Sequence, residues 1–322
     1  MKALCLFAFI ALAPVAPAAE LSGVVRVAGN PELAGVVGPW AEAFEKLHPG
    51  IRIVTHLTGS DTGMAALYTG QADLVLLGRV PTLSEIQAFE WIFHYPPVQV
   101  EILTGSLDRP GRSPAPVLFV HRDNPLSQLS LAQLDALFGT EHRFVKADLR
   151  TWGQLGLTGE WADQPIHLYG PDALSGTGRF FRHAVLNDSR MMNWDQLTEF
   201  NDSGIPLLAT HDAGRQILAA LARDRYGLAV ASLGFANPSV RALPVEGIPA
   251  TRSSLINRQY PLTRAVVACC NRPPGHAADP VTGAFLHYIL SSEGQQGIGP
   301  EDGYLPLTAE LADQQLRKLT QP

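Results

Sequence analysis

Short apolar runs alternate along the chain with segments in which apolar residues recur every three to four positions. Residues 23–29, 51–57 and 72–78 are short runs rich in β-branched residues, which is typical of strands. Residues 39–47 and 63–70 have the apolar spacing of helices. This order of elements predicts βαβ units and a mostly parallel sheet.

A proline- and glycine-rich segment from Thr104 to Pro116 interrupts this alternation. It holds too many helix and strand breakers for a regular element, so we expect a connection between two lobes there. A second crossing is predicted near residue 235. We therefore expect one lobe from residues 20–115 and 235–322, a second from residues 116–234, and a cleft between them. Clefts of this kind are preferred ligand sites.

Three of the predicted strand-to-helix turns have the same composition. Residues 28–33, 58–67 and 174–181 each combine glycine with Asn, Ser or Thr at the start of a helical segment. The first amide groups of a helix lack intrahelical acceptors and lie at the positive end of the helix dipole, so they can bind an oxyanion. Ser and Thr are also ordinary helix caps, so each turn taken alone is explained equally well by capping.

The N-terminus and the overall charge limit the classes of protein to consider. Residues 1–19 have a basic start, an apolar run and small residues at the expected cleavage site, which predicts a secretory signal peptide. The formal net charge is −6, which argues against a nucleic-acid partner. Beyond the predicted signal peptide only Cys269 and Cys270 remain, so no disulfide framework is expected. Their strand context predicts buried free thiols on opposite faces of a sheet.

Catalytic and metal-binding motifs are absent from the sequence. It contains no G-x-S-x-G elbow and no His or Cys spacing typical of a metal site. We therefore expect no cofactor, no metal and no enzymatic activity. A serine hydrolase that uses Ser60 or Ser175 with a histidine from elsewhere in the chain is a weaker alternative.

Several segments resemble the periplasmic phosphate-binding proteins of ABC transporters, in the order in which that family has them. The most specific are the SGTG turn in "LSGTGRFF" and the two closing segments, "YPLTRAVVACCN" and "FLHYILSSEGQQGIGPEDGYLPL". The similarity extends over essentially all of the chain after residue 19. It implies an α/β fold of the type II periplasmic-binding-protein class, with two lobes and two hinge crossings that close on a solute.

The resemblance also implies site residues. Ser60, Ser175, Gly176 and Thr177 match positions that donate hydrogen bonds to phosphate oxygens in the family. Asp61 is a candidate acceptor or a simple helix cap. The complete candidate set of ligand-binding residues is Asn30, Ser60, Asp61, Thr62, Arg79, Ser175, Gly176 and Thr177.

Three positions depart from the family pattern. Pro31 follows Asn30 in the first turn and has no amide hydrogen to donate. Pro171 stands where the family tends to have an arginine, and Arg79 stands near the position of its acceptor aspartate. Because an aspartate accepts a hydrogen bond from protonated phosphate, Arg79 in its place is expected to favour an unprotonated anion or a carboxylate.

The sequence therefore predicts an extracytoplasmic solute-binding protein that captures phosphate or a related small oxyanion between its lobes. The expected partner is an ABC transporter permease in the inner membrane, the expected location is the periplasm, and the protein is expected to be a monomer. The alternative is a secreted or periplasmic interaction or sensory protein with the same fold and an altered ligand specificity.

Overall fold

Two five-stranded sheets organise the chain. A computed structural model describes residues 21–144, 147–202 and 212–320, so the predicted signal peptide lies outside the described residues. In the first sheet the strand order is β2-β1-β3-β10-β4. Its strands are β1 (Gly23–Gly29), β2 (Ile51–His56), β3 (Leu74–Leu77), β4 (Val98–Thr104) and β10 (Ala265–Cys270). Strand β1 is parallel to β2 and β3, whereas β10 is antiparallel to both of its neighbours.

The second sheet has the order β7-β6-β8-β5-β9. Its strands are β5 (Val117–His121), β6 (His167–Pro171), β7 (Leu197–Phe200), β8 (Gly227–Ala231) and β9 (Val240–Leu243). Strand β6 is parallel to β7 and β8, and β5 is antiparallel to β8 and β9. Each sheet therefore combines parallel strands of βαβ units with one strand that is antiparallel to its neighbours. This strand is β10 in the first sheet and β5 in the second.

Helices cover both faces of each sheet. Around the first sheet lie α1 (Ala34–Leu47), α2 (Ser60–Tyr68), α3 (Leu83–Phe93), α8 (Pro280–Leu290), α9 (Ser292–Gln296) and α10 (Ala309–Thr320). Around the second lie α4 (Leu131–Phe138), α5 (Gly176–Leu186), α6 (Ala213–Leu221) and α7 (Arg252–Ile256). The helices explain the continuous apolar runs in the strands, because a strand covered on both faces has no polar side. No described helix is long and apolar enough to span a bilayer.

Strand β3 shows how one run of residues supplies two cores. Leu74 and Leu76 lie in the core on one face of the first sheet, and Val75 and Leu77 lie in the core on the other. The two cysteines are divided in the same way, with Cys270 in the first of these cores and Cys269 in the second. Both are free and buried, as the sequence predicted. Burial raises the pKa of both thiols, that of Cys270 to about 11.

Capping residues define several helix ends. Ser130 is the N-cap of α4 and Asp279 is the N-cap of α8. Helix α3 is capped by Thr82, which forms a capping box with Glu85. The carboxylate of Glu85 accepts the amide hydrogen of Thr82 at 2.7 Å. Glu85 thereby stabilises the start of α3, and its carboxylate also binds the guanidinium group of Arg79.

The two crossings between the lobes run side by side. The first leaves β4 at Thr104, within the segment predicted as the connection. The second returns through Arg264 into β10, and the amide of Gly105 donates to the carbonyl of Arg264 at 2.9 Å. The two peptide segments therefore form a paired hinge rather than two independent linkers.

The second crossing lies later in the chain than the predicted residue 235. Strand β9 pairs with β5, and Leu243, Val245 and Leu255 pack in the core of the second lobe. Residues 240–262 thus complete the second sheet before the chain returns to the first. The predicted boundary at residue 235 is wrong because β9 adds to the antiparallel edge of the second sheet instead of joining the first.

Candidate functional site

A cavity of about 610 Å³ lies between the two lobes. Its walls come from the three predicted turns, from the two hinge crossings and from the face of the second lobe around α6. All of the predicted ligand-binding residues line it, namely Asn30, Ser60, Asp61, Thr62, Arg79, Ser175, Gly176 and Thr177. Ser60 and Thr177, which belong to opposite lobes, therefore face a common space.

Helix α2 begins at the cavity without a side-chain cap. The residue before it, Gly59, has a φ of 157° and donates its amide hydrogen to the carbonyl of Gly29 at 2.9 Å. The amides of Ser60 and Asp61 have no acceptor among the described residues. The hydroxyl of Thr62 donates to the carbonyl of Gly59 at 3.0 Å. The amides of Ser60 and Asp61 and the Ser60 hydroxyl are therefore the donors that the start of α2 offers to the cavity.

Helix α5 begins on the opposite wall and is capped by Ser175. Its Oγ accepts the amide hydrogen of Gly178 at 3.0 Å and donates to the carbonyl of Asp172 at 2.7 Å. The hydroxyl hydrogen of Ser175 is therefore directed away from a ligand, unlike the donor role that the resemblance implied. The amides of Gly176 and Thr177 keep no acceptor within the described ranges, so they are the free donors of this helix.

The first turn contributes less than the other two. The amide of Asn30 donates to the carbonyl of Leu76 at 2.9 Å. The side-chain oxygen of Asn30 accepts the amide hydrogen of Glu32 at 3.0 Å. Asn30 thus caps a short 3₁₀ turn that has Pro31 at its first position. Only the side-chain NH₂ of Asn30 remains for a ligand, and it lies 3.4 Å from a carboxylate oxygen of Glu32.

Arg79 lines the cavity, but carboxylates already surround its guanidinium group. The residue is only 4% exposed. Its two terminal nitrogens bind the two carboxylate oxygens of Glu85 at 2.8 and 2.9 Å, and one of them also binds Asp61 at 2.7 Å. The charge of Arg79 is therefore compensated from within the first lobe. Glu85 is a site residue that the sequence analysis did not identify.

Asp61 joins the two lobes. One of its oxygens binds Arg79 and also accepts a hydrogen bond from Arg179 of α5 at 2.6 Å. Partial burial acts to raise the pKa of Asp61, but the hydrogen bonds and charges of the two arginines outweigh it, so the pKa lies below its usual value. Asp61 is therefore an ionised acceptor that closes one side of the cavity by an ion pair across the cleft. Arg179 was not predicted as a site residue.

The lowered pKa of Asp61 predicts how pH acts on this ion pair. Because the folded-state pKa is below that of the unfolded chain, the contribution is present above about pH 4 and is lost as the pH falls through the folded value. Asp61 is largely exposed, so we expect less than about 1 kcal/mol. In urea titrations, Asp61→Asn should therefore lower the free energy of unfolding more at pH 7 than at pH 3. An equal effect at both pH values would contradict this assignment.

Arg264 occupies the hinge side of the cavity. It is 4% exposed and donates to the carbonyl of Gly78 at 2.7 Å and to the hydroxyl oxygen of Thr177 at 3.2 Å. Burial lowers the pKa of Arg264 to about 10. Arg264 belongs to the segment "YPLTRAVVACCN" that carries part of the resemblance, but it was not among the predicted site residues, because the sequence does not show that the hinge brings it to the cavity.

The described lining of the cavity supplies hydrogen-bond donors from both lobes. No histidine is among the described residues that line it, so neither Ser60 nor Ser175 has the histidine partner that the hydrolase alternative requires within this part of the structure. No group of three or more His, Cys, Asp or Glu side chains in the described ranges could hold a metal ion. The arrangement is suited to holding an anion between two helix N-termini.

Similar proteins have the same architecture. Residues 14–293 match the sequence model of the PBP superfamily domain. The phosphate-binding protein PstS of Pseudomonas aeruginosa is 30% identical over 311 residues, which cover 94% of this chain and 88% of that protein. A crystal structure of an ABC-type phosphate transport receptor from Vibrio cholerae has a TM-score of 0.60 at 20% identity and covers 87% of this chain and 99% of that one.

PstS from Borrelia burgdorferi has a TM-score of 0.61 at 16% identity, with 88% of this chain and 99% of that chain covered. These structures confirm the predicted two-lobed fold of the type II periplasmic-binding-protein class. The superfamily match and the relative from Pseudomonas aeruginosa show that the chain belongs to the PBP superfamily and, within it, to the family of phosphate-binding proteins.

Proposed function

We propose that this protein is a non-enzymatic solute-binding protein that captures phosphate in the cleft between its lobes and presents it to an ABC transporter permease. The observation that carries the proposal is that helices α2 and α5, from opposite lobes, both begin at one cavity with free amide groups. Two helix N-termini directed at the same space favour a negatively charged ligand.

The donors proposed for phosphate come from both lobes. Ser60 supplies its amide and hydroxyl from α2, and Gly176 and Thr177 supply amides from α5, with the Thr177 hydroxyl as a further donor. Because the Thr177 oxygen accepts a hydrogen bond from Arg264, its own hydrogen is free to point at the ligand. Ser175 acts indirectly, since its cap holds the first turn of α5 in place.

The proposed physiological setting follows from family membership and from the sequence. The name of the relative from Pseudomonas aeruginosa states phosphate binding, and the predicted signal peptide would bring this chain to the periplasm. There we propose a monomer that delivers phosphate to a permease in the inner membrane. Closure of the lobes around the anion would exclude water and strengthen its hydrogen bonds.

One observation favours a second candidate, a periplasmic interaction or sensory protein with the same fold and a changed ligand. Arg79 stands near the family's acceptor aspartate, and Pro171 stands where an arginine is usual. Asp61 supplies an ionised acceptor in the cavity instead. Titration of the wild-type protein with phosphate, sulfate, molybdate and small carboxylates separates the candidates. Saturable phosphate binding supports the first, and its absence with binding of another anion supports the second.

The Thr177 hydroxyl gives a direct test of the proposed phosphate site. Thr177→Val removes one hydrogen bond to a charged ligand, so we expect the phosphate affinity to fall by about 10- to 100-fold in isothermal titration. Thr69→Val is the matched control, because the Thr69 hydroxyl donates to the carbonyls of Ala65 and Ala66 at the end of α2, away from the proposed donors. Equal affinity of Thr177→Val and the wild type would remove this residue from the site.

A further inference from the structure

Three arginines line the cavity, and two of them are already paired with carboxylates. Arg79 binds Glu85 and Asp61, and Arg179 binds Asp61 across the cleft. Such pairs leave little net positive charge for a ligand, because each cation has an acidic partner within hydrogen-bond distance. The remaining arginine, Arg264, differs from both.

Arg264 has no carboxylate partner among the described residues, although it is almost completely buried. Its terminal nitrogens bind only a carbonyl and a hydroxyl group, and its Nε has no hydrogen-bond partner. Burial is the largest effect on its pKa and lowers it; the charge of Glu32 acts in the opposite direction, and the charge of Arg79 repels it. A buried cation without a counter-ion is costly, and an anion bound beside it would offset that cost.

The position of Arg264 places its charge beside the start of α5. A Cβ atom built on Gly176 would lie 3.7 Å from Nη2 of Arg264. The guanidinium group is therefore next to the helix turn whose amides are free. An anion that accepts hydrogen bonds from Gly176 and Thr177 would lie within reach of Arg264.

We propose that Arg264 is the counter-ion of the bound oxyanion and takes the place of the arginine that Pro171 replaces. This inference rests on the proposed function and adds a specificity-determining residue to its site. Arg264 lies on the hinge crossing and binds Gly78 of the first lobe and Thr177 of the second. A ligand held by Arg264 therefore contacts the hinge and both lobes at one point, which favours the closed arrangement of the lobes.

The main test is the affinity of Arg264→Met for phosphate, sulfate and molybdate in isothermal titration. The loss of a charge-assisted contact should weaken binding by about 10- to 100-fold. Arg258→Met is the matched control, because Arg258 binds Thr104 and Glu101 beside the same hinge but does not line the cavity. Its affinity should equal that of the wild type.

Thermal unfolding distinguishes a counter-ion role of Arg264 from a purely structural role. A counter-ion predicts that the anion-dependent rise in unfolding temperature disappears in Arg264→Met and is partly kept in Arg264→Lys, which preserves the charge. A purely structural role predicts that Arg264→Met has a lower unfolding temperature without ligand and an unchanged affinity for the anions. The second result would overturn the proposal.

A second variant leaves Arg264 in place and does not depend on the folding of the first. Gly176→Ala puts a methyl group between the helix start and the guanidinium group, at a distance of ordinary contact. We expect weaker anion binding with an unchanged unfolding temperature. Gly283→Ala in α8 is the control, since its Cβ would meet Ala278 at 3.6 Å far from the cavity. Unchanged affinity of Gly176→Ala would contradict the proposed position of the anion.

The wild-type titrations separate this inference from the proposed function. If the wild type binds phosphate and Arg264→Met binds it equally well, only the role of Arg264 is wrong. If the wild type binds sulfate or molybdate but not phosphate, and Arg264→Met loses that binding, phosphate transport is wrong and the counter-ion role stands. If the wild type binds none of the three anions, both are wrong.

Discussion

Glu85→Ala is expected to lower the free energy of unfolding by about 3 kcal/mol, near the lower end of the range for breaking a buried ion pair. The substitution leaves the buried guanidinium of Arg79 with Asp61 as its only carboxylate partner among the described residues. It also removes the carboxylate that accepts the amide hydrogen of Thr82 at the start of α3. Urea titration of the purified variant measures the loss.

Two further variants show whether the unpaired charge causes this loss. The double substitution Glu85→Ala with Arg79→Met removes the stranded cation as well, so it should recover most of the lost stability. Glu90→Ala lies in the same helix, and its side chain makes no ion pair or hydrogen bond with the described residues. It should be close to the wild type in stability. A double variant no more stable than Glu85→Ala would show that the capping of α3, rather than the charge of Arg79, dominates.

Gly178→Ala is expected to damage both stability and phosphate binding. A Cβ at this position would lie 2.1 Å from the carbonyl oxygen of Asp172 and 2.9 Å from Cα of Ala173, which are backbone atoms that no rotamer change can move. We expect a stability loss of about 1–3 kcal/mol from overpacking. The displaced turn would also misplace the amides of Gly176 and Thr177, and losing two charge-assisted hydrogen bonds weakens binding by at least about 100-fold.

The control for Gly178→Ala is Gly38→Ala. Gly38 lies within helix α1, and a Cβ there would meet no atom within 4 Å. Since alanine favours helix more than glycine does, this variant should be at least as stable as the wild type and should bind phosphate normally. Normal phosphate affinity of Gly178→Ala would show that the start of α5 does not hold the ligand.

Local patterns were sufficient to predict most of the elements around the site. The run 23–29 is β1, and the turns after β1, before α2 and before α5 do meet at one cavity. Each turn was recognisable because glycine and a capping residue stand directly before a helical segment.

The charge arrangement of the cavity was not predictable, because it depends on contacts between distant parts of the chain. The sequence around Arg79 does not distinguish it from a surface arginine, yet Glu85 and Asp61 bind it in a buried position. Arg264 is 87 residues from Thr177 in sequence, and only the folded hinge brings the two together. The expectation that Arg79 supplies the charge for an anion therefore changes, because Arg79 is paired with carboxylates, whereas Arg264 has no carboxylate partner in the part of the chain that the structure describes.

The position of the second crossing was mispredicted for a related reason. The residues of β9 are compatible with an edge strand of either sheet, and the prediction had no means of choosing between them. Pairing of β9 with β5 and the packing of Leu243 and Val245 in the second core place this segment in the second lobe. Sheet membership is a long-range property, unlike the helix caps.

A crystal structure of the wild-type protein grown with phosphate tests the central claim most directly. The account predicts one phosphate in the cavity between the lobes, with its oxygens accepting hydrogen bonds from Ser60 of α2 and from the amides of Gly176 and Thr177 of α5. A phosphate bound elsewhere on the protein, or a phosphate in the cavity that contacts only one of these two helices, would contradict it.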